Sequence, residues 1–265
     1  MVSVQFILAI GEKIINLKNC IPIEVGAEKR TNFLYPYRDN TGDNISLENK
    51  YYGELTGLYW VWKNQNIDDD DMVGFCHFNK ALDISETKAY KLLFGSNKYD
   101  FLVADHTYIT PHRQKDELLA ITTILSQDYP EYYQIWKNLY KDDGSGNECN
   151  TAQLFITKGK YFNEYCNFLF DVLKKMRKII GDKDGTPYDT RYCAFMGERL
   201  LSVFIRTNRL RYKEWHIRYA KKIVNIGRKV SRTLHISKKS KIKKSKIYRV
   251  LQEKFGAKSS YERQW

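Results

Sequence analysis

Three short apolar runs, Val4–Ile10, Met72–Phe78 and Phe101–Ala104, are each followed by polar or turn residues and separated by segments of helical period. That alternation predicts an α/β layered domain. Helical spacing is good from Glu117 to Ser126. It is best from Tyr161 to Ile180, where Phe162, Tyr165, Leu169, Val172, Met176 and Ile179 step by three or four along one face. That stripe reads as core. With 265 residues and 43% apolar content the chain can hold one sizeable core plus an appendage.

No run of about 18 apolar residues exists, so no spanning helix is expected. The stretch VQFILAI follows no basic segment and reads as a first strand, not as a signal peptide, and a cytoplasmic protein is expected. Five cysteines, Cys20, Cys76, Cys149, Cys166 and Cys193, form no CxxC pair, which argues against a zinc knuckle or a disulfide framework. Charge is distributed unevenly. Residues 209–265 hold 19 Lys or Arg against 3 Glu, a net of +16, so 1–208 carries +13 minus +16, or −3. The basicity belongs to the tail, which reads as an attachment device.

Within that tail, Ile223, Ile226, Val230 and Leu234 recur at helical steps among Lys221, Lys222, Arg228, Lys229 and Arg232, and the run Lys238–Lys246 follows. This is the pattern of a basic amphipathic helix on an anionic membrane surface. Nucleic-acid binding by the same charges, and a solubilising tail, are the alternatives. The near-neutral body and the lack of a reading motif disfavour nucleic acid.

A polar loop, Asp39–Ser46, runs toward Tyr52–Asn64 (YGELTGLYWVWKN), in which Leu55, Leu58, Tyr59 and Trp62 share a helix face and Glu54 sits in the first turn. An ordinary turn before a core helix would look the same. Further on come Met72–Lys80 (MVGFCHFNK), Leu154–Lys158 leading into Tyr161–Phe170, and Ala194–Leu201 (AFMGERLL). Together and in this order, these segments resemble the capsular-polysaccharide-type glycosyltransferase family long filed as a domain of unknown function. The resemblance spans Val4 to Asn208.

The resemblance implies a GT-A-like nucleotide-sugar-binding domain over 1–208, with a mixed central sheet flanked by helices, and a basic helical tail over 209–265. It implies a bacterial enzyme of hexosyltransferase type, working at the inner face of the plasma membrane in capsule or exopolysaccharide synthesis. Its donor would be UDP-linked and its acceptor a growing polysaccharide or lipid-linked glycan. A non-catalytic nucleotide- or glycan-binding protein is the alternative. In open α/β sheets, ligands collect beyond the carboxyl ends of strands. Those positions here are His77, Asn79 and Lys80, then Asp105 and His106.

The family's His-Tyr-Arg-Arg pattern is His77-Phe78-Asn79-Lys80 in this chain, so two donor forks give way to an amide and a point charge. A leaving diphosphate needs either a divalent ion, Mn2+ or Mg2+, or cationic side chains. Asp105 is the one metal candidate, metal independence is the other option, and Asp68–Asp71 reads as a solvated acidic turn. Asp43, Asn44, Glu54, His77, Asn79, Lys80 and Arg191 are the donor-binding candidates. Glu198 and Arg199, expected at the beginning of the last helix, are the catalytic ones, with Glu198 as base. A structural Glu198–Arg191 ion pair is the competing reading. Two loops, Lys141–Glu148 and Gly181–Asp189, read as mobile and exposed.

Overall fold

The computed structural model describes residues 3–9, 20–96, 98–112, 115–150 and 152–219. Contacts divide the chain into two units, 1–219 and 220–265, and the second lies outside the described residues. The expected amphipathic helix and the Lys238–Lys246 run fall there.

The strands are β1 (Ser3–Ala9), β2 (Cys20–Glu24), β3 (Tyr37–Arg38), β4 (Met72–His77), β5 (Lys80–Leu82), β6 (Phe101–Ala104), β7 (Thr107–Ile109), β8 (Gly146–Cys149), β9 (Phe155–Lys158), β10 (Tyr212–Trp215) and β11 (Ile217–Tyr219). The helices are α1 (Asn49–Tyr52), α2 (Leu55–Asn64), α3 (Glu86–Phe94), α4 (Lys115–Asp128), α5 (Pro130–Leu139), α6 (Gly159–Ile180), α7 (Pro187–Thr190) and α8 (Tyr192–Thr207). A central sheet has the spatial order β10-β6-β9-β4-β1-β2-β3, with β5 joined to β4 and β11 to β5. The sheet is mixed. On that path β9 runs antiparallel to both neighbours, and the other pairs are parallel. β7 and β8 form a separate ribbon.

Strand alternation sorts side chains into two cores. Val73 and Phe75 of β4 and Phe101 and Val103 of β6 face the larger one, with α2, α4, α5, α6 and α8. Met72 and Cys76, Leu102 and Ala104 face the smaller one, with Ala89 and Leu93 of α3. Aromatic rings fill the larger core: Phe75 lies between Phe6, at 5.6 Å, and Phe162, at 5.7 Å.

The three expected strands are β1, β4 and β6, and both expected helices lie inside α4 and α6. The α6 stripe is buried from Phe162 to Met176, but Ile179 is 60% exposed, because in the last turn Ile180 is the residue that meets the core. Residues 212–219, expected with the tail, are strands of the sheet, held by β6 and β5. The Lys141–Glu148 loop is not simply exposed: Gly144, Ser145 and Gly146 are buried, and its end forms β8. No helix among the described residues is long and apolar enough to cross a membrane.

Candidate functional site

The chain runs from β1 outward to β2 and β3, then returns to place β4 on the other side of β1. Between β1 and β4 the winding reverses, and the crevice at the carboxyl ends of such strands is where open sheets bind ligands. His77 ends β4, in register with Leu8 of β1. Phe78 and Asn79 form the tight turn to β5, so His77 and Lys80 are directly opposed and their side chains share one face. Parity along β4 puts that face on the side of the larger core.

His77 Nε2 lies 2.5 Å from the carbonyl oxygen of Ala152. A carbonyl only accepts, so Nε2 carries the hydrogen and Nδ1 is left as an acceptor. Burial, with Lys80 next, pulls the imidazole down to a pKa of about 4, so the ring is neutral at physiological pH.

Glu54 is contributed by the junction of α1 and α2. Gly53 there has φ +53°, and a Cβ on it would lie 2.4 Å from a guanidinium nitrogen of Arg191. Glycine thus gives the backbone its left-handed bend and lets Arg191 lie against it. Arg191, just before α8, donates from Nη2 to Glu54 Oε2 in a largely buried ion pair. Burial acts to raise the Glu54 carboxyl, but the charges beside it, Arg191 foremost, hold it below its usual value. The anticipated Glu198–Arg191 pair is replaced by this one.

Glu198 lies in the middle of α8, not at its beginning, because the helix starts at Tyr192. Its half-buried carboxyl is raised by burial, while Lys80 acts in the opposite direction and Glu54, Arg199 and Arg191 are also felt. Glu54, His77, Lys80, Arg191 and Glu198 therefore form one electrostatically coupled group. Beside them Ala152 and Gln153, with φ of +72° and +50°, hold two consecutive left-handed conformations, each costing roughly 1 kcal/mol or more in a non-glycine residue. Nothing in the sequence marks that turn.

The other candidates have hydrogen-bond or ion-pair partners outside this group. The Asp43 carboxylate accepts from Tyr59 Oη at 3.0 Å, and Asn44 bonds Gly42 and Ser46, so both hold the loop's own shape. Arg199 is buried, and it donates to the carbonyls of Gly144, Phe195 and Thr110. It clamps the 141–148 loop to α8, so the expectation of a catalytic Arg199 is not met by where its donors go. Asp105 pairs with His216 at 2.5 Å, and His106 with Glu214 at 2.7 Å. No group of three His, Cys, Asp or Glu among the described residues could hold a metal ion. The acidic Asp68–Asp71 turn is at the opposite end of β4 from His77, and its Asp71 is buried.

Sequence reasoning missed Asp39. Its fully buried carboxylate accepts from the backbone N–H of Gly26 and Ala27 at 2.8 and 2.9 Å and from the hydroxyls of Ser46 and Thr56. It ties the end of β2, the polar loop and α2 into one unit. A surface cleft of about 710 Å³, lined in part by Tyr108, Lys137, Lys141 and Arg206, shares no residue with the Glu54–Glu198 group.

Comparison with known proteins agrees with this architecture. The model of a family described as a domain of unknown function, DUF4422, matches residues 11–209. Among solved structures, the chain is similar to the apo structure of the bifunctional glycosyltransferase WbbM, with a TM-score of 0.68 and 22% identity. The match covers 83% of this chain and 45% of the WbbM chain, so this chain spans less than half the length of that one. The likeness is one of fold, mixed α/β and glycosyltransferase-like. No curated protein matches.

Proposed function

The chain belongs to the DUF4422 family, and from that premise we propose that it is a glycosyltransferase moving a hexose from a UDP-linked donor to a growing cell-surface polysaccharide or lipid-linked glycan. The observation that carries this reading is the coupled group Glu54, His77, Lys80, Arg191 and Glu198 at the carboxyl ends of β1 and β4, on a glycosyltransferase-like fold. The mostly parallel sheet, in which β9 and β5 are the reversed strands, supports the GT-A-like assignment. The basic tail would keep the enzyme on the cytoplasmic face of a bacterial membrane, where capsule or exopolysaccharide acceptors reside.

In this reading Lys80 and Arg191 meet the charge that develops on the leaving diphosphate. Lys80 has no ion-pair partner among the described residues, and Arg191 is oriented by Glu54. Neutral His77 offers Nδ1 to a ligand hydroxyl. Glu198, raised toward neutrality, takes the proton from the acceptor hydroxyl as it attacks the anomeric carbon, because a base works best when its pKa lies near the working pH. Lys80 and Arg191 would supply the charge for phosphate as side-chain cations.

Asn79 and Lys80, standing where the resemblance places arginines, favour a second reading, a nucleotide-binding protein without turnover. Incubation of the purified chain with UDP-hexoses separates the two. Acceptor-dependent release of UDP is expected, whereas nucleotide binding without release in the presence of lipid-linked acceptors would favour the second.

A further inference from the structure

The amide of Gln153 is 3% exposed, and its two ends are treated differently. Oε1 accepts from the buried hydroxyl of Tyr165 at 2.8 Å, which fixes the orientation of the amide. Nε2 is buried without any hydrogen-bond partner. A buried amide N–H normally finds an acceptor, so one left open calls for an explanation.

The open donor lies against α8 at Gly197. A Cβ built on Gly197 would be 3.3 Å from Gln153 Nε2 and 2.8 Å from a methyl of Leu55, so glycine is what admits the amide to the helix surface. The next residue is Glu198. Its half-buried carboxyl has no hydrogen-bond or ion-pair partner among the described residues, yet its charge reaches Tyr165, the residue that holds Gln153. The open donor thus lies against α8 at the position before Glu198, about 100° around the helix from that side chain, so a turn of the flexible carboxyl is needed to bring the two together. The left-handed backbone of Ala152 and Gln153 puts the amide there, and the contact of His77 with the Ala152 carbonyl ties that turn to the end of β4.

We propose that Gln153 is a positioning residue for Glu198: when the carboxyl ionises, it swings to accept a hydrogen bond from Gln153 Nε2, which fixes its direction and favours its charged form. The bond concerns Glu198 and Gln153 alone, but its chemical use rests on the transferase reading. Other charges bear on Glu198 from each neighbouring element: Lys80 on β5, Glu54 before α2, Arg191 before α8, and Arg199 beside it, with Tyr165 of α6 the nearby neutral hydroxyl. None of them is hydrogen-bonded to it among the described residues.

The test reads Glu198 directly and needs no activity. With glutamate labelled by 13C at Cδ, and the Glu198 signal assigned by its loss in Glu198→Gln, the carboxyl is titrated in the full chain. Gln153→Leu is expected to raise the midpoint by about one pH unit, a tenfold change, because a hydrogen bond to the charged form has been removed. Tyr165→Phe, which frees the amide to turn, is expected to raise it by less, and it serves alone if Gln153→Leu does not fold. An unchanged midpoint in folded variants would overturn the proposal, whatever the chain's catalytic behaviour. A moved midpoint in a chain that releases no UDP would uphold the positioning and count against the transferase reading.

Discussion

Single residues carry the chemistry, and two of them make opposite use of burial. Burial raises the Glu198 carboxyl above its usual value, and it lowers His77 so that the ring stays neutral. Glu198→Gln should reduce transfer by about 10²-fold or more. Donor affinity should stay within a few-fold, as measured by calorimetric titration beside a UDP-release assay. For His77, the folded value of about 4 lies below its ordinary 6.5, so between those values the unfolded chain takes up a proton that the native protein does not. Stability should thus fall as pH drops from about 6.5 to 4. In denaturant titrations at several pH values, His77→Gln should lose less over that interval, by a difference of order 2 kcal/mol.

Legibility at this scale followed local pattern. Glu54, His77, Lys80 and Glu198 stand in short motifs whose neighbours announce a strand end or a helix. Asp39 and Gln153 do not, because an aspartate before Asn-Thr-Gly reads as a turn residue, and the left-handed turn at Ala152 is imposed by tertiary contacts from β4 and α6. Arg199 misled by adjacency: a helix turns about 100° per residue, so the neighbour of Glu198 points to different partners.

Among elements, the junction between α1 and α2 sets the site's electrostatics. Gly53→Ala would force a positive-φ backbone on a residue with a side chain and push its Cβ into the Arg191 guanidinium. The expected result is a loss of about 1–2 kcal/mol of stability, together with weakened nucleotide binding, since Arg191 must move off Glu54. A variant with native melting temperature and native affinity would show that the close approach is unimportant. The polar loop is organised by Asp39, and Asp39→Ala would leave two backbone N–H groups buried and unmatched. About 3 kcal/mol of lost stability is expected from urea unfolding. Helices and strands with strong periodicity were readable from sequence, but the short strands β2, β3, β5 and β7 to β11 were not. The four-residue β6 was readable because all four of its residues are apolar, whereas short mixed segments give too little pattern to distinguish a strand from a loop, and partners distant in sequence decide the outcome.

Across the whole molecule, the fold brings the end of β4, the start of α2 and the helix α8 close enough for Glu54, His77, Lys80, Arg191 and Glu198 to feel one another's charge. The central claim is that this group binds a nucleotide-activated sugar through Lys80 and Arg191. The most direct test is thermal unfolding of the full chain with UDP, GDP, CDP and their sugars, with and without manganese and with EDTA, alongside Lys80→Ala and Arg191→Ala. A ligand that binds only the native state raises the melting temperature by mass action. The account predicts a rise selective for uridine nucleotides, retained in EDTA and sharply reduced in both variants. No rise with any nucleotide, or a rise that both variants keep in full, would contradict it.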